Sequence, residues 1–228
     1  QEVCEKGLAF CEKLKPAPLY NPKSIKNITP LNYDDHLEQL KKCDWIIEVI
    51  AERIDWKQEL YYKIIPHLKE SAIVTSNTSG LLVKELVEGL PEDFRKRFFV
   101  THFFNPPRYM KLVEIIPGED TISEHIRQIA DFLEDKLGKG VVHAKDTPNF
   151  VANRIGVFGM MVSVAETVKK KLTIEDVDAF TGALIGRPKS ATFRTADIVG
   201  LDTMAYVAKT AYDKCVNDDS REIFKIPE

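Results

Sequence analysis

The chain has 228 residues, of which 44% are hydrophobic and 29% charged, a balance typical of a globular protein with one large domain or two modest ones. Its net charge of −3 does not indicate a nucleic-acid or anionic-membrane partner, and the longest apolar stretch, at 150–168, contains an amide and two charged side chains, so no membrane span is expected. The four cysteines and five histidines lack metal-ligand spacing, so no metal site is predicted, and reduced thiols favour a cytoplasmic protein.

The first part of the chain alternates apolar, strand-like runs with helical segments. In chain order, the expected elements up to residue 88 are a helix at 2–15, a short edge strand at 29–33, a short helix at 34–42, a strand at 45–50, a helix at 55–68, a strand at 72–76 and a helix at 83–88. The run at 45–50 is almost continuously apolar, as expected of a strand that is buried on both faces.

Three further strands are expected, at 98–101, 112–116 and 140–145, and a helix that Thr121 or Ser123 caps precedes the last of them. This alternation predicts an α/β fold with a substantially parallel sheet. Strand signals stop at residue 149, and helices are expected at 150–170, from Thr173 onward and around 194–213. The chain is therefore expected to divide into an α/β domain at 1–148 and an all-α domain at 149–228.

Four polar clusters follow expected strands. They are Glu52 with Lys57, the Ser-Asn-Thr-Ser segment at 76–79, His102 with Asn105, and Asp146 with Thr147. Because ligands of open α/β sheets bind beyond the carboxyl ends of the strands, these clusters are expected to meet at one edge. The structural alternatives are a solvent-exposed histidine, a helix-capping segment at 76–79 and a solvent-facing Glu114.

His102 and Glu114 form the most specific candidate pair. His102 ends one strand, an Asn-Pro-Pro turn reverses the chain, and the next strand carries Glu114. A carboxylate on one imidazole nitrogen fixes the tautomer and leaves the other nitrogen free for proton transfer. Neither a Gly-x-Ser-x-Gly elbow nor a Walker loop is present, so the pattern favours an acid/base enzyme over a serine hydrolase or a nucleoside triphosphatase.

Several spaced motifs together resemble the 3-hydroxyacyl-CoA dehydrogenase family. They are Ile-Glu-Val-Ile-Ala-Glu at 47–52 with Lys57, Ser-Asn-Thr-Ser at 76–79, His-Phe-Phe-Asn-Pro-Pro at 102–107, Lys-Leu-Val-Glu-Ile-Ile at 111–116, Gly-Lys-Gly at 138–140, Lys-Asp-Thr-Pro at 145–148 with Asn153 and Arg154, Gly-Arg-Pro at 186–188 and Asp-Ile-Val-Gly-Leu-Asp at 197–202. The Asn-Pro-Pro-Arg-Tyr-Met form is more similar to the large bacterial members, which often carry an enoyl-CoA hydratase domain in the same polypeptide.

This resemblance implies oxidation of the 3-hydroxyl of a fatty acyl-CoA to a ketone, with NAD as cofactor and a role in fatty-acid β-oxidation. His102 matches the family's catalytic base and Glu114 its orienting partner, while Ser79 and Asn153 match substrate-binding positions. The positions that match the nicotinamide–ribose site are Glu52, Lys57, Ser79 and Asn105. The expected partners are the acyl-CoA substrate and either a second copy, through the helical domain, or a fused or associated enoyl-CoA hydratase.

The chain also departs from the family pattern. The Gly-x-Gly-x-x-Gly turn that binds the pyrophosphate does not occur, and Gly138-Lys-Gly140 lies between a helix and a strand, which is the wrong context. An incomplete Rossmann-type sheet, without its first β-α-β unit, is therefore expected. The chain also stops before the glycine-rich segment that closes the helical domain in the family, so a helical domain truncated at its C-terminus is expected. Two alternatives stay open: a catalytically silent binding or dimerisation module, and a different dehydrogenase acting on a small hydroxy acid, for which motif support is lacking.

Overall fold

A computed structural model describes residues 2–227 and contains one five-stranded sheet. The strands are β1 (Trp45–Glu48), β2 (Ile73–Ser76), β3 (Phe98–Phe103), β4 (Leu112–Pro117) and β5 (Gly140–His143). They lie side by side in chain order; β3 and β4 form an antiparallel hairpin, and every other neighbouring pair is parallel. The predicted α/β fold with a mostly parallel sheet is confirmed.

Helices pack on both faces of the sheet and, with short 3-10 helices, account for the other regular elements. Those of the α/β part are α1 (Glu2–Cys11), α2 (Ile54–Ile64), α3 (Val83–Leu86), α4 (Glu92–Arg95) and α5 (Ser123–Asp135). Those after β5 are α6 (Ala152–Lys170), α7 (Ile174–Thr181), α8 (Phe193–Val199) and α9 (Leu201–Lys214). Short 3-10 helices occur at Pro22–Asn27, Leu37–Lys42, Ile65–His67, Ala183–Ile185 and Arg221–Phe224. Beyond β5 every regular element of the described residues is helical, as predicted. No helix among residues 2–227 is long and apolar enough to cross a membrane.

Alternation along the strands divides the core between the two faces of the sheet. Phe98 packs on one face with Tyr61 of α2, whereas its neighbour Phe99 packs on the other face with Leu133 of α5. This follows from the two-residue period of a strand, which sends successive side chains to opposite faces. A third apolar cluster holds α6 against α9 in the helical part.

The expectation of an edge strand at 29–33 is wrong. Within the described chain these residues have no strand, because the Asn32 side chain forms a turn instead. Its Oδ1 atom accepts hydrogen bonds from the backbone N–H groups of Asp34 (3.0 Å) and Asp35 (2.8 Å). Asparagine commonly closes such turns on the backbone that follows it.

The expectation that the run at 45–50 is a strand buried on both faces is also wrong. The strand ends at Glu48, and it lies at the edge of the sheet. Ile47 is 39% exposed and Val49 is 69% exposed. An apolar run predicts a strand, but its burial depends on what covers each face.

The capping expected for α5 is wrong as well. Ile122 occupies the N-cap position, and no side chain caps the helix. The Thr121 hydroxyl is engaged elsewhere: it donates to the Phe98 carbonyl (2.7 Å) and accepts from the Gly118 N–H (2.9 Å). Thr121 therefore stabilises the approach to the helix and the neighbouring strand.

Candidate active site

The β3–β4 hairpin brings His102 and Glu114 together. The register pairs the two residues directly across the hairpin, so both side chains point to the same face of the sheet. His102 Nδ1 lies 2.7 Å from Glu114 Oε2, and the two residues are only 3% and 0% exposed. The pair is a buried, directly hydrogen-bonded histidine and carboxylate.

The second oxygen of Glu114 is held by the start of α6. Oε1 accepts hydrogen bonds from the backbone N–H groups of Val151 (2.9 Å) and Ala152 (2.8 Å). Burial raises the pKa of the Glu114 carboxyl, but the hydrogen bonds from His102 and from these two amides outweigh it, so the pKa lies below its ordinary value. Glu114 is therefore ionised at neutral pH and can stabilise a positive charge on His102.

Two aromatic rings contact the imidazole of His102, both tilted against it. The ring centroid of Phe104 lies 4.4 Å from that of His102, and the ring centroid of Phe150 lies at 5.7 Å. Because Nδ1 faces an ionised carboxylate, we assign the proton to Nδ1, which leaves Nε2 as an acceptor. The arrangement can take up a proton at Nε2, as a general base does.

A second polar group forms around the loop that follows β2. Glu52 Oε1 accepts hydrogen bonds from Thr78 Oγ1 (2.5 Å) and from the N–H groups of Ser79 (2.9 Å) and Gly80 (3.2 Å). Asn153, in the first turn of α6, donates from Nδ2 to the Ser79 carbonyl at 3.1 Å. The structure thus brings Glu52, Ser79 and Asn153 together, and the Ser79 side chain stays exposed.

A cavity of about 440 Å³ lies between this loop and α9. Glu52 and Ser79 line its sheet side, and Asp202 and Tyr206 of α9 line the opposite side. Its position beyond the ends of β1 and β2 is the edge at which open α/β sheets bind ligands.

Comparison with known proteins identifies the family. Residues 5–147 match the family model described as 3-hydroxyacyl-CoA dehydrogenase, NAD binding domain, and residues 150–226 match the model of the C-terminal domain of the same enzyme. The chain belongs to the 3-hydroxyacyl-CoA dehydrogenase family. The resemblance in the spaced motifs is therefore confirmed over nearly the whole chain.

Individual relatives are similar to the chain over most of its length. It is 52% identical over 215 residues to a probable 3-hydroxyacyl-CoA dehydrogenase of Bacillus subtilis, covering 94% of this chain and 27% of that protein. It is 41% identical over 198 residues to a putative fatty acid oxidation complex trifunctional enzyme of Rickettsia felis, covering 87% of this chain and 28% of that protein. A solved (S)-3-hydroxybutyryl-CoA dehydrogenase from Ralstonia eutropha matches with a TM-score of 0.77 and 27% identity, covering 98% of this chain and 75% of that one. The chain spans about a quarter of the length of the first two relatives.

Two other residues singled out by the family motifs take no part in the hydrogen bonds of the loop that follows β2. Lys57 is 1% exposed, and its Nζ atom donates to Glu48 Oε1 (2.7 Å) and to the Ile50 carbonyl (3.1 Å). Its distance to Glu52 Oε2 is 3.8 Å. Asn105 is exposed in the turn between β3 and β4, three residues beyond His102.

Sequence reasoning missed Glu48 and the backbone of the α6 start. Glu48 is 3% exposed within an apolar strand, and it should have signalled a buried partner, because a carboxylate is rarely buried without one. The Val151 and Ala152 amides that bind Glu114 carry no signal in the residue types. A helix was expected from residue 150, but only the fold shows that its first amides face Glu114.

Proposed function

We propose that the full-length protein oxidises the 3-hydroxyl of a 3-hydroxyacyl-CoA to a ketone with NAD, as a step of fatty-acid β-oxidation. The observation that carries this proposal is the buried His102–Glu114 pair, at the same edge of the sheet as Ser79 and Asn153. The family membership of the chain and the relatives named as 3-hydroxyacyl-CoA dehydrogenases support it.

In this proposal His102 is the general base. Its Nε2 atom takes the proton of the substrate 3-hydroxyl, and the electrons of the O–H bond become part of the new carbonyl. Glu114 holds the Nδ1 proton and stabilises the imidazolium that results. Ser79 and Asn153 hydrogen-bond the substrate near the reacting oxygen. NAD, when bound, would accept the hydride from the carbon that bears this hydroxyl.

The residues present fit the nicotinamide–ribose half of NAD. The Glu52 side chain is 33% exposed and offers a carboxylate to ribose hydroxyls, and Ser79 and Asn105 are exposed polar groups at the same edge. The Nζ atom of buried Lys57 lies 3.8 Å from Glu52 Oε2 and stabilises the negative charge of this carboxylate. The Gly-x-Gly-x-x-Gly fingerprint does not occur in the 228 residues, so no residue of this chain is assigned to the pyrophosphate.

The test is NADH formation from NAD and 3-hydroxybutyryl-CoA by the full-length protein. The His102→Gln variant is expected to lose roughly 10²–10⁴ in kcat, the usual contribution of a positioned base. His143→Gln is the matched control. His143 is exposed on β5, which pairs with β4 and not with β3, so this variant is expected to keep the wild-type rate. An active His102→Gln variant would show that another group takes the proton.

The helical part is proposed to contact a second copy of the chain or a fused or associated enoyl-CoA hydratase. Several of its apolar side chains are largely exposed, among them Phe180 (65%), Leu184 (79%), Ile198 (71%) and Leu201 (63%). Exposed apolar surface of this kind marks contact sites between proteins. The relative named as a trifunctional enzyme supports the fused arrangement, and the mass of the full-length protein in solution distinguishes it from a homodimer.

A cytoplasmic location is also proposed. All four cysteines lie within the described residues and are free thiols, as is typical of a reducing compartment. Fractionation of the source cells tests this, and recovery of the protein outside the cytoplasmic fraction would contradict it.

A catalytically silent binding module is the second candidate. The absence of the dinucleotide fingerprint from these 228 residues favours a silent module as the function of this chain taken alone. Calorimetric titration of the chain with NAD separates the two, because sub-millimolar affinity would contradict a silent module.

A further inference from the structure

A buried carboxylate that the proposed reaction does not use lies at the end of β1. Glu48 is 3% exposed, and its two oxygens accept four hydrogen bonds. Oε1 accepts from the Ile50 N–H (2.6 Å) and from Lys57 Nζ (2.7 Å). Oε2 accepts from Ser76 Oγ (2.6 Å) and from Tyr61 Oη (2.9 Å).

Two of these contacts lead from Glu48 to the loop that carries Ser79. The first runs through Ser76, whose Oγ atom accepts the Thr78 N–H at 3.2 Å. The second runs through Lys57, which lies 3.8 Å from Glu52 Oε2. Oε1 of Glu52 then holds the Thr78 hydroxyl and the N–H groups of Ser79 and Gly80.

The charge of Glu48 matters for the second route. Lys57 is 1% exposed, and its closest carboxylate is that of Glu48. Without the charge of Glu48, Glu52 is the one carboxylate among the described residues that remains paired with the buried ammonium. An unpaired buried charge is costly, so Lys57 would draw Glu52 away from the loop.

We propose that Glu48 is a positioning residue that holds the 76–80 loop, and with it Ser79, in place for the reaction. It acts from the core through Lys57 and Ser76, without touching substrate. The kinetic consequence rests on the proposed function, whereas the ordering of the loop does not.

Amide hydrogen exchange of the full-length protein tests the loop directly. In Glu48→Gln, which keeps the shape but removes the charge, the amides of residues 78–80 are expected to exchange about tenfold faster, the factor for loss of roughly one charge-assisted hydrogen bond. Tyr61→Phe is the matched control. It removes one hydrogen bond from the same carboxylate and keeps the ring against Phe94 and Phe98, so exchange at 78–80 should stay at the wild-type rate.

Kinetics provide a second readout of the same variants. Because Ser79 is proposed to contact the reacting group, Glu48→Gln should lower kcat for NADH formation more than it raises KM for the acyl-CoA. An equal loss of kcat in Tyr61→Phe would mean that only the stability of the core has changed. If the wild-type protein forms no NADH, the proposed function fails, but the exchange measurement still decides whether Glu48 orders the loop.

Ser76→Ala covers the case in which Glu48→Gln does not fold. This variant removes the acceptor of the Thr78 N–H and leaves the pairing of Glu48 with Lys57 intact. Faster exchange of the Ser79 and Gly80 amides, which bond Glu52 and not Ser76, supports the proposal. Wild-type exchange at 78–80 in Ser76→Ala, or in a folded Glu48→Gln, would overturn it.

Discussion

Replacing Glu114 by Gln is expected to reverse the tautomer of His102. The amide has the shape of the carboxylate, and its oxygen can still accept the N–H groups of Val151 and Ala152. Its NH₂ group then faces His102 Nδ1 and donates to it, which moves the imidazole proton to Nε2. The atom proposed to take the substrate proton would no longer be free.

The expected size of the effect follows from the contacts of Glu114. A base in the wrong tautomer loses roughly 10²–10⁴ in kcat. Three charge-assisted hydrogen bonds become neutral ones, at about 1 kcal/mol each, so the free energy of unfolding should fall by roughly 3 kcal/mol. The assays are NADH formation at saturating NAD and acyl-CoA, and urea unfolding of the same preparation.

Asp178→Asn is the matched control for this variant. Asp178 accepts the N–H groups of Thr192, Phe193 and Arg194 at the start of α8, as Glu114 does at α6, but no histidine contacts it among the described residues. The control should lose stability and keep kcat. The reasoning would be refuted by a folded Glu114→Gln protein with wild-type kcat, or by an equal loss of kcat in Asp178→Asn.

Three further predictions follow from the same geometry. The pKa of Glu114 is lowered in the folded state, so the stability that this carboxylate contributes is present above its unfolded pKa, about 4.3, and is lost as pH falls through its folded pKa. The unfolding free energies of the wild type and of Glu114→Gln, measured against pH, should therefore converge in acid. Ser79→Ala and Asn153→Ala should each lower kcat by about 10²–10³ if they bind the reacting oxygen, and steady-state kinetics that show only a raised KM would contradict that role. If the full-length protein is a homodimer, Leu184→Asp should halve its mass in light scattering, whereas Tyr20→Asp, outside the helical part, should leave the mass unchanged. An unchanged mass in Leu184→Asp would argue against dimerisation through the exposed apolar residues of the helical part.

The His102–Glu114 pair could be predicted because its causes are local. Two short apolar strands and an Asn-Pro-Pro turn lie within twenty residues, and the hairpin they form pairs the two residues directly. The convergence of Glu52 with Ser79 was also predictable, since parallel strands end at the same edge of a sheet.

Other features depend on contacts that residue types do not record. The α6 amides that hold Glu114 are backbone groups, and any residues except proline at 151 and 152 would supply them. The exposure of Ile47 depends on what covers its face of β1 rather than on its own apolar run. Lys57 could be assigned to a polar cluster, but its burial against Glu48 becomes evident only once α2 packs on the sheet.

The central claim is that His102 acts as a base oriented by Glu114. The most direct test is a double-mutant cycle of kcat for NADH formation in the full-length protein, with His102→Gln, Glu114→Gln and both together. If the pair acts as a unit, the second substitution should cost little beyond the first. Multiplicative losses in the double variant, or wild-type activity in His102→Gln, would contradict the account.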